Sequence, residues 1–266
     1  MWTAYFEALM LILGMSIITW FYSLYRHDVS IVDSLWSLMF LAAALVYAWQ
    51  APARGMHTVF IFMLVAVWAL RLSIHLTARN WGEPEDRRYR EIRRNNEPHF
   101  GVKSLYIIFG LQGMLAWIIS IPLLFALFAR SGFHWLDIFA TALWLFGFFF
   151  EAVGDYQLMK FKEVKSNQGK VLDTGLWRFT RHPNYFGEAC IWWAYCLFAI
   201  PAGGWWTIYA PVLMTFLLLK VSGVVLLEKD ITQRRPEYQS YIERTSAFFP
   251  WPPRTTGQVA IKEQQS

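Results

Sequence analysis

The stretch that decides the fold is residues 105–129, LYIIFGLQGMLAWIISIPLLFALFA, which contains no charged side chain. It is long enough to cross a bilayer, because a spanning helix needs roughly 20 predominantly apolar residues. In the whole chain 56% of the residues are apolar and only 16% are charged, a balance that ordinary soluble domains do not have. The sequence therefore predicts an integral membrane protein.

Six further apolar runs accompany this stretch, so we predict an all-α protein with seven transmembrane helices. The seven runs are 3–24, 30–50, 57–77, 105–129, 134–157, 185–200 and 205–227. They leave little of the 266 residues for anything else, and we interpret 1–250 as a single transmembrane domain. Residues 251–266 are mostly polar and contain Pro252 and Pro253, which indicates a flexible cytoplasmic tail.

The distribution of basic residues predicts the orientation of these helices. If the spans alternate, twenty of the 24 Lys and Arg residues lie in segments on one side, and only Arg54 and Arg130 lie on the other. Basic loops remain in the cytoplasm, so we expect the N-terminus outside and the C-terminus inside; in a bacterium the membrane would be the inner one. The net charge of +5 then suits anionic membrane lipid, and we expect no nucleic-acid partner.

Ionisable residues within the apolar runs are candidate functional groups, because charges inside a membrane usually face the bundle interior or a water-filled cavity. Eight of them fall in the cytoplasmic half of the predicted spans. They are Asp33, Arg71, His75, Glu151, Asp155, Glu188, Lys220 and Glu228. The alternative is that they form interhelical ion pairs with no chemistry inside, for instance Arg71 with Glu151 or Asp155.

Familiar motifs of soluble enzymes are missing from the sequence. It contains no GxGxxG, GxxxxGK[ST], HExxH or GxSxG, so a nucleotide would have to be held by another scaffold. Basic and aromatic side chains on the cytoplasmic loops can bind phosphates and stack on a base. Cys190 and Cys196 do not have a metal-ligand spacing, and we expect no metal.

Several segments carry a resemblance to a known family. The first is GLWRFTRHPNYFGE at 175–188, which resembles the C-terminal signature of the membrane steroid 5-alpha-reductase family; RHPxYxG also occurs in sterol reductases and isoprenylcysteine carboxyl methyltransferases. Residues 228–250 resemble the closing segment of this superfamily. VDSLW at 32–36 and WALRL at 68–72, with the polar residues of 79–89, are similar to the bacterial 5-alpha-reductase-like branch, formerly of unknown function.

The resemblance implies a seven-helix fold that holds NADPH on its cytoplasmic loops and a 3-oxo-Δ4 steroid, or a similar lipophilic enone, between its first four helices. Asp33 and Trp68 are the implied catalytic residues, although steroid-active members carry Gln-Glu and Tyr at these places. Substrate contacts are predicted for Trp36, Ser37 and Phe40. Cofactor contacts are predicted for Arg71, His75, Arg79, Asn80, Asp86, Arg88, Tyr89, Asp155, Lys162, Arg178, Arg181, His182, Asn184, Tyr185, Glu188, Trp192 and Glu228.

Three functions remain open on the sequence alone. In an NADPH-dependent reductase, a neutral Asp33 would donate a hydrogen bond to the enone carbonyl, unless Asp33 is only the ion-pair partner of Arg71. An S-adenosylmethionine-dependent methyltransferase needs no buried acid. A transporter or lipid-binding protein would be expected to show inverted repeats and broken helices, which we do not find in the sequence. We expect a monomer in each case.

Overall fold

The computed structural model describes residues 1–129, 132–221 and 237–254, and this part of the chain is helical apart from turns and one bridge between Thr180 and Ser246. The first six helices are α1 (Trp2–Arg26), α2 (Ile31–Gln50), α3 (Met56–Asn80), the short α4 (Arg87–Asn95), α5 (Phe100–Leu127) and α6 (Trp135–Glu163). All but α4 are long and apolar enough to cross a membrane. The helical class and the first five predicted spans are therefore confirmed.

The last two predicted spans correspond to shorter helices. The run at 185–200 forms α7 (Pro183–Ala199), and the run at 205–227 forms an apolar helical stretch, Trp205–Val221, with α8 (Tyr209–Phe216) in it. A last helix, α9 (Tyr238–Arg244), follows. The end of the final run and Glu228 lie outside the described residues.

Helices α3 and α6 continue past the apolar runs that predicted them. α3 ends at Asn80 and α6 at Glu163, so Arg79 and Lys162 are helical. Polar residues with good helix propensity, such as Arg, Lys and Gln, can extend a helix beyond its apolar part. The predicted spans end too early because they were delimited by apolar residues alone.

The chain divides into two compact units. Unit 1 comprises Met1–Asp137 and Tyr195–Ala210, and unit 2 comprises Ile138–Ala194 and Pro211–Ser266. The stretch predicted as one domain, 1–250, thus contains two units that each draw on two parts of the chain. Each unit is described by itself below.

In unit 1, helix α2 packs against α1, α3 and α5, and buried hydroxyl groups join the helices. Ser37 Oγ on α2 donates to the Ala69 carbonyl of α3 at 2.8 Å, and Tyr47 OH lies 2.8 Å from Ser120 Oγ of α5. Ala43 and Ala44 are fully buried, so small side chains let the helices approach. These hydrogen bonds satisfy hydroxyls that would otherwise be costly in an apolar interior.

In unit 2, helices α6 and α7 cross at two glycines. A Cβ on Gly147 would lie only 2.6 Å from the Gly187 carbonyl oxygen, and a Cβ on Gly187 would overlap the backbone of Gly147 and Glu151. No other residue type permits this approach. The crossing brings the first two turns of α7, which carry Asn184 and Glu188, against the turn of α6 that carries Glu151 and Asp155.

Candidate functional site

The polar cluster of unit 1 is built around Asp33, in the first turn of α2. Its carboxylate accepts hydrogen bonds from Arg88 Nη2 at 2.7 Å and Tyr89 OH at 2.6 Å, and Arg79 Nη2 lies 4.0 Å away. The ion-pair hypothesis names Arg71 as the partner of Asp33, whereas the guanidinium at 2.7 Å belongs to Arg88. With two donors directed at it, the carboxylate is arranged to hold other side chains in place.

The loop after α3 brings Arg88 and Tyr89 to this position. Asp86 is the N-cap of α4 and accepts from the Arg88 backbone N–H at 2.9 Å and from Arg88 Nε at 3.1 Å. Its own N–H donates to Ser30 Oγ, just before α2, at 2.8 Å. Burial acts to raise the pKa of Asp86, but the hydrogen bonds and charge of Arg88 outweigh it and hold the pKa below the ordinary value.

Tyr89 is the hydroxyl-bearing member of the cluster and is 6% exposed. Besides donating to Asp33, its oxygen accepts from Gln112 Nε2 of α5 at 3.2 Å. Burial, and then the negative charge of Asp33, raise the pKa of Tyr89 well above the ordinary value of a phenol. The phenol therefore keeps its proton at neutral pH. The sequence assigned Tyr89 to the cofactor, whereas the geometry joins it to Asp33.

A second ion pair supports the same loop. Glu85 accepts from Arg93 Nη2 at 2.7 Å and Nε at 3.0 Å, and also from the Val29 backbone N–H at 3.0 Å. The Arg93 guanidinium lies over the Phe100 ring, 4.4 Å from its centroid. Sequence reasoning missed this pair, because Glu85 precedes α4 and shares no helical face with Arg93.

The predicted substrate stripe of α2 is mostly packed between helices. Phe40 and Trp68 are fully buried with ring centroids 5.9 Å apart, and Ser37 is committed to the backbone of α3. Trp36 lies edge-on to Phe40 at 5.1 Å and is only half-buried. These contacts favour a packing role for Ser37, Phe40 and Trp68, and leave Trp36 with surface to offer a ligand.

Three of the predicted cofactor residues of α3, Arg71, His75 and Arg79, share one helix face, as their spacing indicates. Arg71 and His75 are half-buried and Arg79 is exposed. Arg79 Nε donates to Asn80 Oδ1 at 3.0 Å, while Asn80 Nδ2 is buried without a hydrogen-bond partner among the described residues. A buried N–H without an acceptor costs free energy, and an acceptor atom on a bound ligand would remove that cost.

In unit 2, hydrogen bonds hold the motif around Arg181 to the end of α9 and to the segment after it; this contact is here called the clasp. Arg181 Nη1 donates to the carbonyls of Thr245 at 2.6 Å and Ile242 at 3.1 Å, and its backbone N–H donates to the Ser246 carbonyl at 2.9 Å. Thr180 Oγ1 donates to the Phe248 carbonyl at 2.8 Å. The sequence assigned Arg181 to the cofactor; the contacts give its guanidinium a positioning role.

The clasp extends beyond the predicted tail boundary. Trp251 N–H donates to the Phe179 carbonyl at 2.9 Å, and Arg254 N–H donates to the Arg244 carbonyl at 3.0 Å. The chain is thus held by backbone hydrogen bonds up to Arg254. The rest of the predicted tail, 255–266, lies outside the described residues.

The start of α7 places the remaining predicted residues. Asn184 Nδ2 donates to Asp155 Oδ1 at 3.0 Å, while Asn184 Oδ1 is buried without a hydrogen-bond partner among the described residues. The His182 ring stacks on Tyr185 at 5.6 Å. Asn184, Glu188 and Trp192 lie on one face of α7, as their spacing predicts. Arg178 and Lys162 are exposed, whereas Asp155, His182, Glu188 and Trp192 are buried.

Comparison with known proteins adds a family and a relative. A family described as "Protein of unknown function (DUF1295)" matches residues 19–245, a range that contains every predicted site residue from Asp33 to Glu228. A protein of Schizosaccharomyces pombe, "Uncharacterized protein C594.04c", is 24% identical over 88% of this chain and 76% of its own length. No solved structure matches the chain.

Proposed function

We propose that this chain, which belongs to the DUF1295 family, is a membrane reductase that uses NADPH to reduce the C4=C5 bond of 3-oxo-Δ4 steroids or of a similar lipophilic enone. The cluster of Asp33, Arg88 and Tyr89 beside the apolar pair α2 and α3 carries this proposal. A phenol and a guanidinium held side by side suit a reaction in which negative charge develops on a carbonyl oxygen. The resemblance to steroid 5-alpha-reductases supports the same chemistry.

In this mechanism Tyr89 takes the role that the sequence hypothesis gives to Asp33. Hydride addition to the β-carbon converts the enone to an enolate, whose oxygen needs a hydrogen-bond donor. Tyr89 keeps its proton, and its one O–H, which Asp33 holds in the absence of substrate, turns to donate to that oxygen, while Arg88 adds positive charge. The enolate then takes one proton from solvent at its α-carbon, which balances the added hydride.

In each unit, taken by itself, some of the residues predicted to hold the cofactor suit chemical groups that NADPH carries. NADPH supplies the hydride when bound. The buried Oδ1 of Asn184 accepts from a ligand N–H such as that of a carboxamide, and the buried Nδ2 of Asn80 donates to a ligand oxygen. The exposed guanidinium groups of Arg79 and Arg178 suit phosphates, which arginine binds through paired hydrogen bonds.

We further propose that α7 and the stretch Trp205–Val221 complete a seven-span monomer with its cofactor side in the cytoplasm. α7 has 17 residues, and at 1.5 Å per residue it covers about 25 Å, close to the thickness of a hydrocarbon core. The segregation of basic residues to one set of loops supports the orientation. An odd number of spans then leaves the two termini on opposite sides.

The test uses the full chain in lipid nanodiscs, with NADPH and a panel of 3-oxo-Δ4 steroids and other lipophilic enones. We expect NADPH oxidation matched by a product that has gained two hydrogens. Tyr89→Phe should bind NADPH normally but turn over on the order of 100-fold more slowly, the usual scale of a lost proton donor. Tyr106→Phe is the matched control, because Tyr106 is 61% exposed and outside the cluster.

The same preparation separates the reductase from the methyltransferase. A ligand that binds the folded state raises the melting temperature. NADPH should therefore stabilise the chain and S-adenosylmethionine should not. Stabilisation by S-adenosylmethionine alone, with no enone reduced, would contradict the proposed function.

A further inference from the structure

A loop in unit 2 exposes large aromatic side chains. In residues 246–251, here called the aromatic loop, Phe249 is 69% and Trp251 is 70% exposed. The loop is nevertheless well held, because Trp251 N–H donates to the Phe179 carbonyl and Phe248 is buried. Neighbouring exposed aromatics on a well-ordered loop indicate a contact with something other than water.

Ring contacts show the depth at which the aromatic loop lies. The Phe186 ring is 6.1 Å from Phe249, and on α6 it is 6.1 Å from Phe146 and 5.3 Å from Phe150. Phe150 and Phe146 precede the end of the apolar run at 157, by roughly 10 and 16 Å along the helix axis at 1.5 Å per residue. Phe249 therefore lies alongside the apolar part of α6, within the depth of the membrane.

The exposed face of α6 continues into the loop. Phe146 and Phe149 are 46% and 52% exposed on a helix apolar enough to span a bilayer, so lipid covers them. Phe186 contacts both Phe146 and Phe249, which joins the lipid-covered face to the loop. Exposed apolar surface marks a contact with a membrane or a partner, and next to a lipid-facing helix that contact is with lipid.

The surroundings of the loop suit the boundary between acyl chains and headgroups. Trp side chains concentrate at that boundary, and basic side chains beside them bind lipid phosphates. Arg178 and Arg254 are both exposed beside the loop. Arg178 directly precedes Phe179, whose carbonyl accepts from Trp251 N–H, and Arg254 follows Trp251 by three residues. Aromatic anchors flanked by cations match an anionic bilayer surface.

We propose that the aromatic loop is a membrane anchor: Phe249 and Trp251 insert into the bilayer leaflet at the C-terminal end of α6. The loop also accepts hydrogen bonds from Thr180 and Arg181, through the carbonyls of Phe248 and Ser246. Lipid contact with the loop therefore stabilises the motif that begins α7. This anchor does not depend on which reaction the protein catalyses.

The test measures the depth of a spin label on the full chain in phosphatidylcholine and phosphatidylglycerol vesicles. Cys190 and Cys196 are both buried and are first replaced by alanine. Labels are then attached to Phe249→Cys, to Phe149→Cys as the lipid-facing reference and to Ser240→Cys as the water-facing control on α9. Accessibility to oxygen reports lipid, and accessibility to a water-soluble nickel complex reports solvent.

We expect the Phe249→Cys label to resemble the Phe149→Cys label, with an oxygen-to-nickel ratio several-fold higher than that at Ser240→Cys. A ratio equal to that at Ser240→Cys would overturn the anchor, and so would low accessibility to both reagents, which would place the label inside protein. If Phe249→Cys does not fold, Trp251→Cys carries the same test. Helix content and a single size-exclusion peak establish folding for each variant.

Discussion

At the scale of single residues, Asp33 is a carboxylate that holds two neighbours. Asp33→Asn removes the charge opposite Arg88, so we expect the free energy of unfolding to fall by about 1–3 kcal/mol. Turnover per folded molecule should also fall, on the order of 100-fold, because the single amide oxygen of Asn cannot accept from both Tyr89 and Arg88, and the phenol is no longer oriented. Asp33→Glu should retain part of the activity. Enone reduction in nanodiscs, normalised to folded protein, is the measurement.

Glu85→Gln is the matched control for Asp33→Asn, since it weakens a comparable ion pair with Arg93 in the same unit. It should cost stability without changing turnover per folded molecule. Near-normal turnover in Asp33→Asn would remove Asp33 from the mechanism. An equal loss in Glu85→Gln would show that the effect comes from stability alone.

Asn184 and Arg181 should behave differently although the sequence assigned both to the cofactor. Asn184→Ala removes a buried acceptor that suits a ligand N–H, and should weaken NADPH binding on the order of 10-fold. Arg181→Ala removes the clasp on the Thr245 and Ile242 carbonyls, and should mainly lower the melting temperature. Calorimetric titration with NADPH and a thermal melt distinguish the two effects. Unchanged NADPH affinity in Asn184→Ala would exclude it from the cofactor site.

At the scale of elements, α4 depends on its N-cap. Asp86→Ala removes the acceptor of the Arg88 backbone N–H and should cost about 0.5–2 kcal/mol, whereas Asp86→Ser should keep most of the cap. The pKa of Asp86 is lowered in the folded state, so its contribution is present above the ordinary value of 3.8 and is lost as pH falls through the folded pKa.

Thermal melts of the wild type and Asp86→Ser between pH 3 and pH 6 test this contribution. The wild type should lose stability relative to Asp86→Ser at the acidic end of that range. Identical pH profiles for the two proteins would mean that the Asp86 charge contributes nothing.

The crossing of α6 and α7 depends on glycine at the point of closest approach. A methyl group on Gly187 would overlap the backbone of Gly147 and Glu151, so Gly187→Ala should separate the helices and lower the yield of folded protein. Gly14→Ala is the control, because no atom lies within 4 Å of a Cβ there; in mid-helix it should be neutral or stabilising. Fluorescence-detected size-exclusion compares the two, and a normal profile for Gly187→Ala would show that the crossing is looser than described.

At the scale of the whole molecule, the orientation proposed from the charge distribution can be tested directly. A reporter fused after Ser266 should be cytoplasmic, and a cysteine at Gly55, between α2 and α3, should react with an impermeant thiol reagent from outside. Cys190 and Cys196 are buried and should remain unlabelled. An external signal from the C-terminal reporter would overturn both the orientation and the seven-span proposal.

The sequence by itself determined the membrane class, the five long helices and the residues that share a face of α3 and of α7. These properties depend on apolar length and on helical periodicity, which are local and can be read from one chain. The sequence predicted the helix ends less accurately, because polar residues extend α3 and α6 beyond their apolar runs.

Only the tertiary structure decided the partners. Arg88 lies 55 residues from Asp33, and the Thr245 carbonyl lies 64 residues from Arg181. Neither pairing has a periodic signal, because it depends on where loops pack against helices rather than on spacing along the chain. Steric fit at Gly147 and Gly187 is equally non-local, and it is what brings Asn184 to Asp155.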